Sequence, residues 1–327
     1  MRTDTDTWDI QTSVGSTALA VAAGRALARH PVTGAPIDPY AELFCRAAGG
    51  QWGELVQGKQ SDHPLSSDDF GRSFANFQAA RTAFFDNFFT TTGNAGVRQI
   101  VLLASGLDCR AYRLQWPTGT QIYELDQPLV QQFKQETLDA HGAAPGAVRH
   151  PISVDLRQNW SKILQESGFD PSEPSAWLVE GLLFFLKSPA QDLLLETIDS
   201  LAAPGSHIAV EQRDTYPDVE FELRRAEAED SAGPDGSPLA EFLALIYNES
   251  RSEAATWLRG RGWSAERTAL LDYMKTSGFT LPAYGSLGWD TLRYTNMVTA
   301  SSGNTARCKP QSYIDASTAP KSGGGGI

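Results

Sequence analysis

Gln99-Ile-Val-Leu-Leu-Ala-Ser-Gly106 is an apolar run that ends in a glycine. Apolar residues at consecutive rather than alternate positions suit a strand buried on both faces. Further strands follow at Gln121-Ile-Tyr-Glu-Leu-Asp126, His150-Pro-Ile-Ser-Val-Asp155, Ser175-Ala-Trp-Leu-Val-Glu180, His207–Glu211 and Leu292–Ala300. Helices separate them. Pro128 opens one that runs to about Ala140. Ser188-Pro189-Ala190-Gln191 has the form of a capping box with proline at the first helical position, and opens another that runs to about Leu201 before Pro204-Gly205. Strands alternating with helices make βαβ units, and hence a doubly wound, mostly parallel α/β sheet. Such sheets bind ligands beyond the carboxyl ends of their strands, where the strand order reverses. Four of these strands finish on that rim with a glycine or a carboxylate: Gly106, Asp126, Asp155 and Glu180.

Upstream, the pattern is helical. Ser13–Ala28 carries apolar residues at near-helical spacing, Asp38-Pro39 reads as a helix start, and Asp68–Phe89 forms a third helix. Its stripe of Phe70, Phe74, Phe77, Phe84, Phe85 and Phe88 is read as core. Downstream, residues 213–262 are charge-rich and broken by Ser231-Ala-Gly-Pro-Asp-Gly-Ser-Pro238, a loop signal. They read as an insertion over the top of the sheet. Ala265–Ser277 has the period of an amphipathic helix ending at Gly278. The organisation expected is a helical segment over 1–97, a Rossmann-like domain over 98–300 holding the insertion 213–262, and a disordered tail over 301–327 that includes the run Gly323–Gly326.

Bulk properties exclude several classes. The formal net charge of −12 is the wrong sign for a phosphate-backbone partner, so nucleic acid is not expected. Cys45, Cys109 and Cys308 are odd in number and lack a CxxC, and His30, His63, His141, His150 and His207 show no ligand spacing, so no metal is expected. Apolar runs such as Leu182–Leu186 are too short to cross a bilayer. Residues 1–12 are polar and carry Asp4, Asp6 and Asp9, unlike a signal peptide, so a cytoplasmic location is expected.

A dinucleotide site requires G-x-G-x-x-G after its first strand, and the matching positions here are Ala104, Gly106 and Cys109. Only the middle glycine is present, which argues against an NAD-dependent oxidoreductase. Asp126 lies twenty residues beyond Gly106 at the end of the second strand. It is placed either to accept the two ribose hydroxyls of an adenosine ligand or to cap the helix opened by Pro128, with ribose preferred. Glu180 ends a buried strand, where an unpaired carboxylate is costly.

Several blocks resemble the leucine carboxyl methyltransferase-type family, and within it an actinobacterial branch of S-adenosylmethionine-dependent methyltransferases. They are Trp8-Asp-Ile-Gln-Thr-Ser-Val-Gly15, Asp38-Pro-Tyr-Ala41, Leu102-Leu-Ala-Ser-Gly-Leu-Asp-Cys-Arg-Ala-Tyr-Arg113, Glu124-Leu-Asp126 and Val154-Asp-Leu156. The resemblance implies a class I, seven-stranded sheet and S-adenosyl-L-methionine as cofactor, with Gly106, Asp126, Asp155, Leu156 and Glu180 contacting it. Lacking a pyrophosphate, this ligand needs only one close backbone approach, at Gly106. In the family a basic residue on the helix before the first strand holds the methionine carboxylate. Arg81, in Gln78-Ala-Ala-Arg-Thr-Ala-Phe-Phe85, matches it, although a surface salt bridge is the other reading of that arginine. Ala104 departs from the family by standing where many members have glycine.

No His–Asp or Lys pairing near the strand ends supplies an obvious general base. A carboxylate acceptor, on a small molecule or a peptide, needs none, because its ordinary pKa is near ~4. Carboxyl O-methylation is therefore expected. The alternatives are hydroxyl O-methylation of a secondary metabolite, with Tyr112, Tyr123 or a residue of the insertion as base, or a non-catalytic cofactor-binding protein. Oligomeric state is not legible.

Overall fold

The computed structural model describes residues 14–230 and 238–303. The expected tail beyond residue 303, most of the loop signal at 231–237 and residues 8–13 of the first family-like block lie outside the described residues. Seven strands form one sheet among them: β1 (Gln99–Leu103), β2 (Gln121–Asp126), β3 (Val148–Ser153), β4 (Ser175–Val179), β5 (His207–Arg213), β6 (Trp263–Ala269) and β7 (Thr295–Ser302). The order is β3-β2-β1-β4-β5-β7-β6. The first five run parallel, with Leu102 of β1 opposite Glu124 and Leu178, and β7 enters antiparallel between β5 and β6. The order reverses between β1 and β4, which places the switch point between Gly106 and Glu180.

Both faces of the sheet are covered, as consecutive apolar residues require. Val101 and Leu103 face one layer with Trp177, Val179 and Val210, packed under the helices Trp160–Glu166, Ser188–Leu201 and Ala254–Gly260. Ile100 and Leu102 face the other, against Phe77, Phe85 and Phe89 of the 25-residue helix Phe70–Asn94 and Leu270 and Met274 of the helix Leu270–Thr276. The phenylalanine stripe is thus core. A third cluster joins the helices Val14–Leu27 and Ala41–Ala48 to Val130 and Leu138 of the helix Pro128–Ala140, through Leu19, Ala22, Phe44 and Cys45. Glu124, fully buried in β2, is held by Lys134 Nζ at 2.6 Å and Arg149 Nε at 2.9 Å. No described helix is long and apolar enough to cross a membrane.

Five local expectations are corrected. The stretch read as a helix over Ala265–Ser277 begins as β6, and only Leu270–Thr276 is helical. β6 is an edge strand with one neighbour, so Glu266 and Arg267 stay exposed and its small alanines give no clear two-residue alternation. β3 spans Val148–Ser153, leaving Asp155 two residues past its end, and β7 starts at Thr295 because Leu292 closes the helix Leu287–Leu292. The Ser188 capping box does not form. Lys187 holds the cap position, and Gln191 Nε2 donates instead to the Leu186 carbonyl at 2.9 Å. Asp38 does not cap the next helix, which starts at Ala41. It accepts the Tyr40 N–H at 3.0 Å and lies buried 3.4 Å from Arg25 Nε.

Candidate functional site

After β1 the chain makes a tight turn in which Ala104 and Gly106 both take positive φ, 50° and 49°. Glycine adopts this conformation freely, whereas alanine there is strained. The turn is held by Asp126. Its Oδ2 accepts the Gly106 N–H at 2.6 Å, and Oδ1 accepts the Gln127 N–H at 2.7 Å. Neither bond reaches the first turn of the Pro128–Ala140 helix, so the helix-cap alternative is not realised. Burial pushes the Asp126 carboxyl above its ordinary value, against the opposing pull of the two N–H groups. A carboxylate has about four acceptor positions, so half remain for a ligand.

Two residues beyond β3, Asp155 accepts the Arg157 backbone N–H at 2.8 Å and its Nε at 2.9 Å. Burial raises this carboxyl, but the hydrogen bonds from Arg157 outweigh it and the net shift is downward.

Arg81 projects from the middle of the Phe70–Asn94 helix and is 3% exposed, which removes the surface salt bridge reading. Nη1 donates to Glu211 Oε2 at 2.9 Å and Nη2 to Gln78 Oε1 at 2.7 Å. Nε lies 3.1 Å from Glu180 Oε1 as an ion pair, yet it is buried without an aligned hydrogen bond. With five N–H groups on a guanidinium, Arg81 retains donors. Glu180 also accepts from Arg110 Nη1 at 2.9 Å, and Arg110 pairs with Asp108 and, at 2.8 Å, with Asp86, which Arg113 pairs as well. Glu211 further accepts the N–H of Gly181, which has a φ of 65°.

These elements enclose one cavity of about 200 Å³, and all six residues named from the sequence line it: Arg81, Gly106, Asp126, Asp155, Leu156 and Glu180. Sequence reasoning missed its other wall. Thr17, Ala18, Val21 and Arg25 of the Val14–Leu27 helix close one side, and a side chain added at Gly106 would lie 3.8 Å from the Ala18 methyl. Arg25 donates to the Leu107 carbonyl at 2.7 Å, while its buried Nε has no hydrogen bond. A lone arginine in that alanine-rich helix was the available signal. Asp108 was missed too. Burial raises its carboxyl, but Arg110 and neighbouring cations overcome this and hold it at about 2.

Three arginines, Arg25, Arg81 and Arg157, face four carboxylates, Asp108, Asp126, Asp155 and Glu180, across the lining, which leaves one negative charge in excess. Among the described residues no histidine, lysine, tyrosine or cysteine lines the cavity. Tyr123 lies in the core with its hydroxyl donating to the Gly168 carbonyl at 2.9 Å, and Tyr112 packs on Tyr40 at 5.8 Å, so neither reaches it as a base. Cys109 is buried, and burial lifts its thiol well above the ordinary value.

The family model described as leucine carboxyl methyltransferase matches residues 18–199. A protein of Mycobacteroides abscessus, "Putative S-adenosyl-L-methionine-dependent methyltransferase", is 89% identical over 92% of this chain and 99% of its own length. A second protein of that organism with the same description is 58% identical over 93% of this chain and 100% of its own. One from Mycolicibacterium paratuberculosis, again so described, is 50% identical over 86% and 93% respectively.

Proposed function

The chain belongs to the leucine carboxyl methyltransferase family and is an S-adenosylmethionine-dependent methyltransferase, and from that premise we propose that it esterifies a carboxylate. One observation carries this reading: the cavity offers no free base. No His, Lys, Tyr or Cys lines it among the described residues, and each lining carboxylate is engaged by an arginine or by backbone N–H groups. A hydroxyl or amine acceptor needs its proton removed, whereas a carboxylate arrives ionised.

The residues present suit the cofactor. The remaining acceptor positions of Asp126 suit two ribose hydroxyls, and Asp155 with Leu156 suits the adenine end. The unused donors of Arg81 suit the methionine carboxylate, and the single excess negative charge suits a ligand with one net positive charge. Gly106, bare of a side chain, allows the backbone to approach. When bound, S-adenosylmethionine supplies a methyl on a cationic sulfur, which passes to the acceptor oxygen as the carbon–sulfur bonding pair returns to sulfur, with no proton moved. The protein's task is then to hold the acceptor in line and exclude water.

The test is the product. Incubation with methyl-labelled cofactor and a library of carboxylic acids and peptides should yield a methyl group that mild alkali releases as methanol. An alkali-stable methyl would overturn the carboxyl reading and leave methyl transfer intact.

A further inference from the structure

Beyond the cofactor cavity, Arg213 and Arg251 lie on adjoining segments, where Gln212 Nε2 donates to the Ser252 carbonyl at 2.9 Å, and among the described residues neither forms an ion pair. Arg213 ends β5 and is 6% exposed, in a cage formed by the rings of Phe184, Tyr216 and Phe242 at 5.5–6.0 Å. It donates to the Tyr216 hydroxyl and to the Thr291 carbonyl, and its Nε is buried without a hydrogen bond. Arg251 donates from Nη2 to the Tyr247 carbonyl at 3.2 Å, and both its Nε and its Nη1 are buried without a partner. Each arginine therefore directs unsatisfied N–H groups into the protein. Two carboxylates act on Arg251 without forming an ion pair with it: Glu249 accepts the Ser188 N–H, and Asp214 pairs with Arg267 at 2.7 Å. Burial and the Arg213 charge both pull Arg251 below its ordinary value, the direction expected of like charges crowded together.

The pair adjoins the cofactor cavity by two routes. Glu211 and Arg213 are two residues apart on β5 and so share a face, about 7 Å apart along the strand, and Glu211 bonds Arg81 and Gly181 at the cavity. The turn Leu183–Phe185 joins them as well. Phe185 lines the cavity, Phe184 packs on Arg213, and the Phe184 carbonyl accepts the N–H of Tyr247, whose own carbonyl holds Arg251.

We propose that Arg213 and Arg251 form a subsite that binds an acidic group of the methyl acceptor, a carboxylate in the first instance, and so select anionic acceptors. One buried and one half-buried guanidinium that form no ion pair among the described residues are costly, and planar forks of N–H donors match a carboxylate in shape as well as charge. The assignment rests on the acceptor being an acid, the reading given above.

The experiment measures melting of the full chain, saturated with S-adenosylhomocysteine in chloride buffer, against added phenylacetate, phenylacetamide or inorganic phosphate. Phenylacetate should raise the melting temperature with dose, and its neutral amide should not. In Arg251→Met the apparent phenylacetate affinity should fall at least about tenfold, while S-adenosylhomocysteine affinity stays unchanged. Without added anion the variant should melt at or above the wild type, since an uncompensated charge is gone. Arg251→Lys should keep part of the response.

Equal shifts from acid and amide, an unaltered response in Arg251→Met, or a variant melting well below wild type without anion would each overturn the proposal. So would phosphate shifting the wild type more than phenylacetate does, which would reassign the pair to a phosphate. Loss of the response alongside an alkali-labile product would sink the subsite alone. An alkali-stable product with the response intact would sink the carboxyl reading alone.

Discussion

Asp126→Asn separates the two tasks assigned to that residue. The side chain keeps its shape but loses its charge and one acceptor oxygen. In the folded protein the carboxylate accepts the Gly106 N–H at 2.6 Å and the Gln127 N–H at 2.7 Å. The amide can replace only one of these, so one backbone bond worth about 1 kcal/mol is lost. Relief from burying a charge offsets part of that. For a chain of 327 residues the melting temperature should fall by about 1–2 °C. Ligand binding should suffer more, because hydrogen bonds from ribose hydroxyls to a charged acceptor contribute about 1.5–3 kcal/mol. The Kd for S-adenosylhomocysteine should therefore rise by roughly 10- to 100-fold, read by calorimetry. There is a pH signature as well. Burial holds the carboxyl above its ordinary value, so wild-type affinity should decline on acidification before an exposed aspartate would protonate. Asp126→Asn should lack that decline. An unchanged Kd together with a lowered melting temperature would refute the reasoning, and would leave Asp126 as no more than a brace for the Gly106 turn.

Arg81→Met should abolish measurable S-adenosylhomocysteine binding and destabilise the fold by about 3–5 kcal/mol in denaturant titrations, because Glu211, buried beside it, loses its cationic partner. Ala104→Gly should raise stability by up to about 1 kcal/mol, since relief of the left-handed conformation, worth about 1–2 kcal/mol, exceeds the added chain entropy; a variant less stable than wild type would count against strain at this turn. Asp108, held at about 2 against an ordinary 3.8, contributes on the order of 2 kcal/mol that is fully present above about pH 4 and lost as the pH falls through about 2, and acid unfolding of Asp108→Asn should lack that component. With any accepted substrate, single-turnover rates should be flat between about pH 6 and 9, and a rise with pH would point to a hydroxyl acceptor.

The parallel half of the sheet was legible because a strand buried on both faces must be apolar throughout, and Gln99–Leu103 and Ser175–Val179 show every residue buried. The antiparallel edge was not. β6 has Trp263 as its one large apolar side chain and exposed charges at Glu266 and Arg267, so nothing in its period distinguished it from the helix that follows. Gly106, Asp126, Asp155 and Glu180 share a cavity because each ends, or closely follows, a parallel strand that its apolar run disclosed, whereas Arg81 and Leu156 came with the family resemblance. Arg25 and Asp108 escaped for different reasons. Arg25 reaches the cavity through the packing of the Val14–Leu27 helix across the turn, a tertiary event that its being the lone arginine of that helix marks only faintly. Asp108 sits inside the family-like block but follows the glycine rather than ending a strand. The Arg213–Arg251 pair is thirty-eight residues apart in sequence and meets only because the chain returns from the 238–246 region to the end of β5.

The Val14–Leu27 helix forms one wall of the cavity with Thr17, Ala18, Val21 and Arg25, while Leu19 and Ala22 on its other side are fully buried against Phe44 and Cys45. On this side a ligand seated against the Gly106 turn is bounded by a packed helix rather than by a surface loop. Its residence time becomes tied to how often that packing loosens. Filling the cavity should slow amide hydrogen exchange along the helix, and substitutions such as Leu19→Ala, far from any substrate atom, should hasten ligand dissociation and speed turnover if product release limits it.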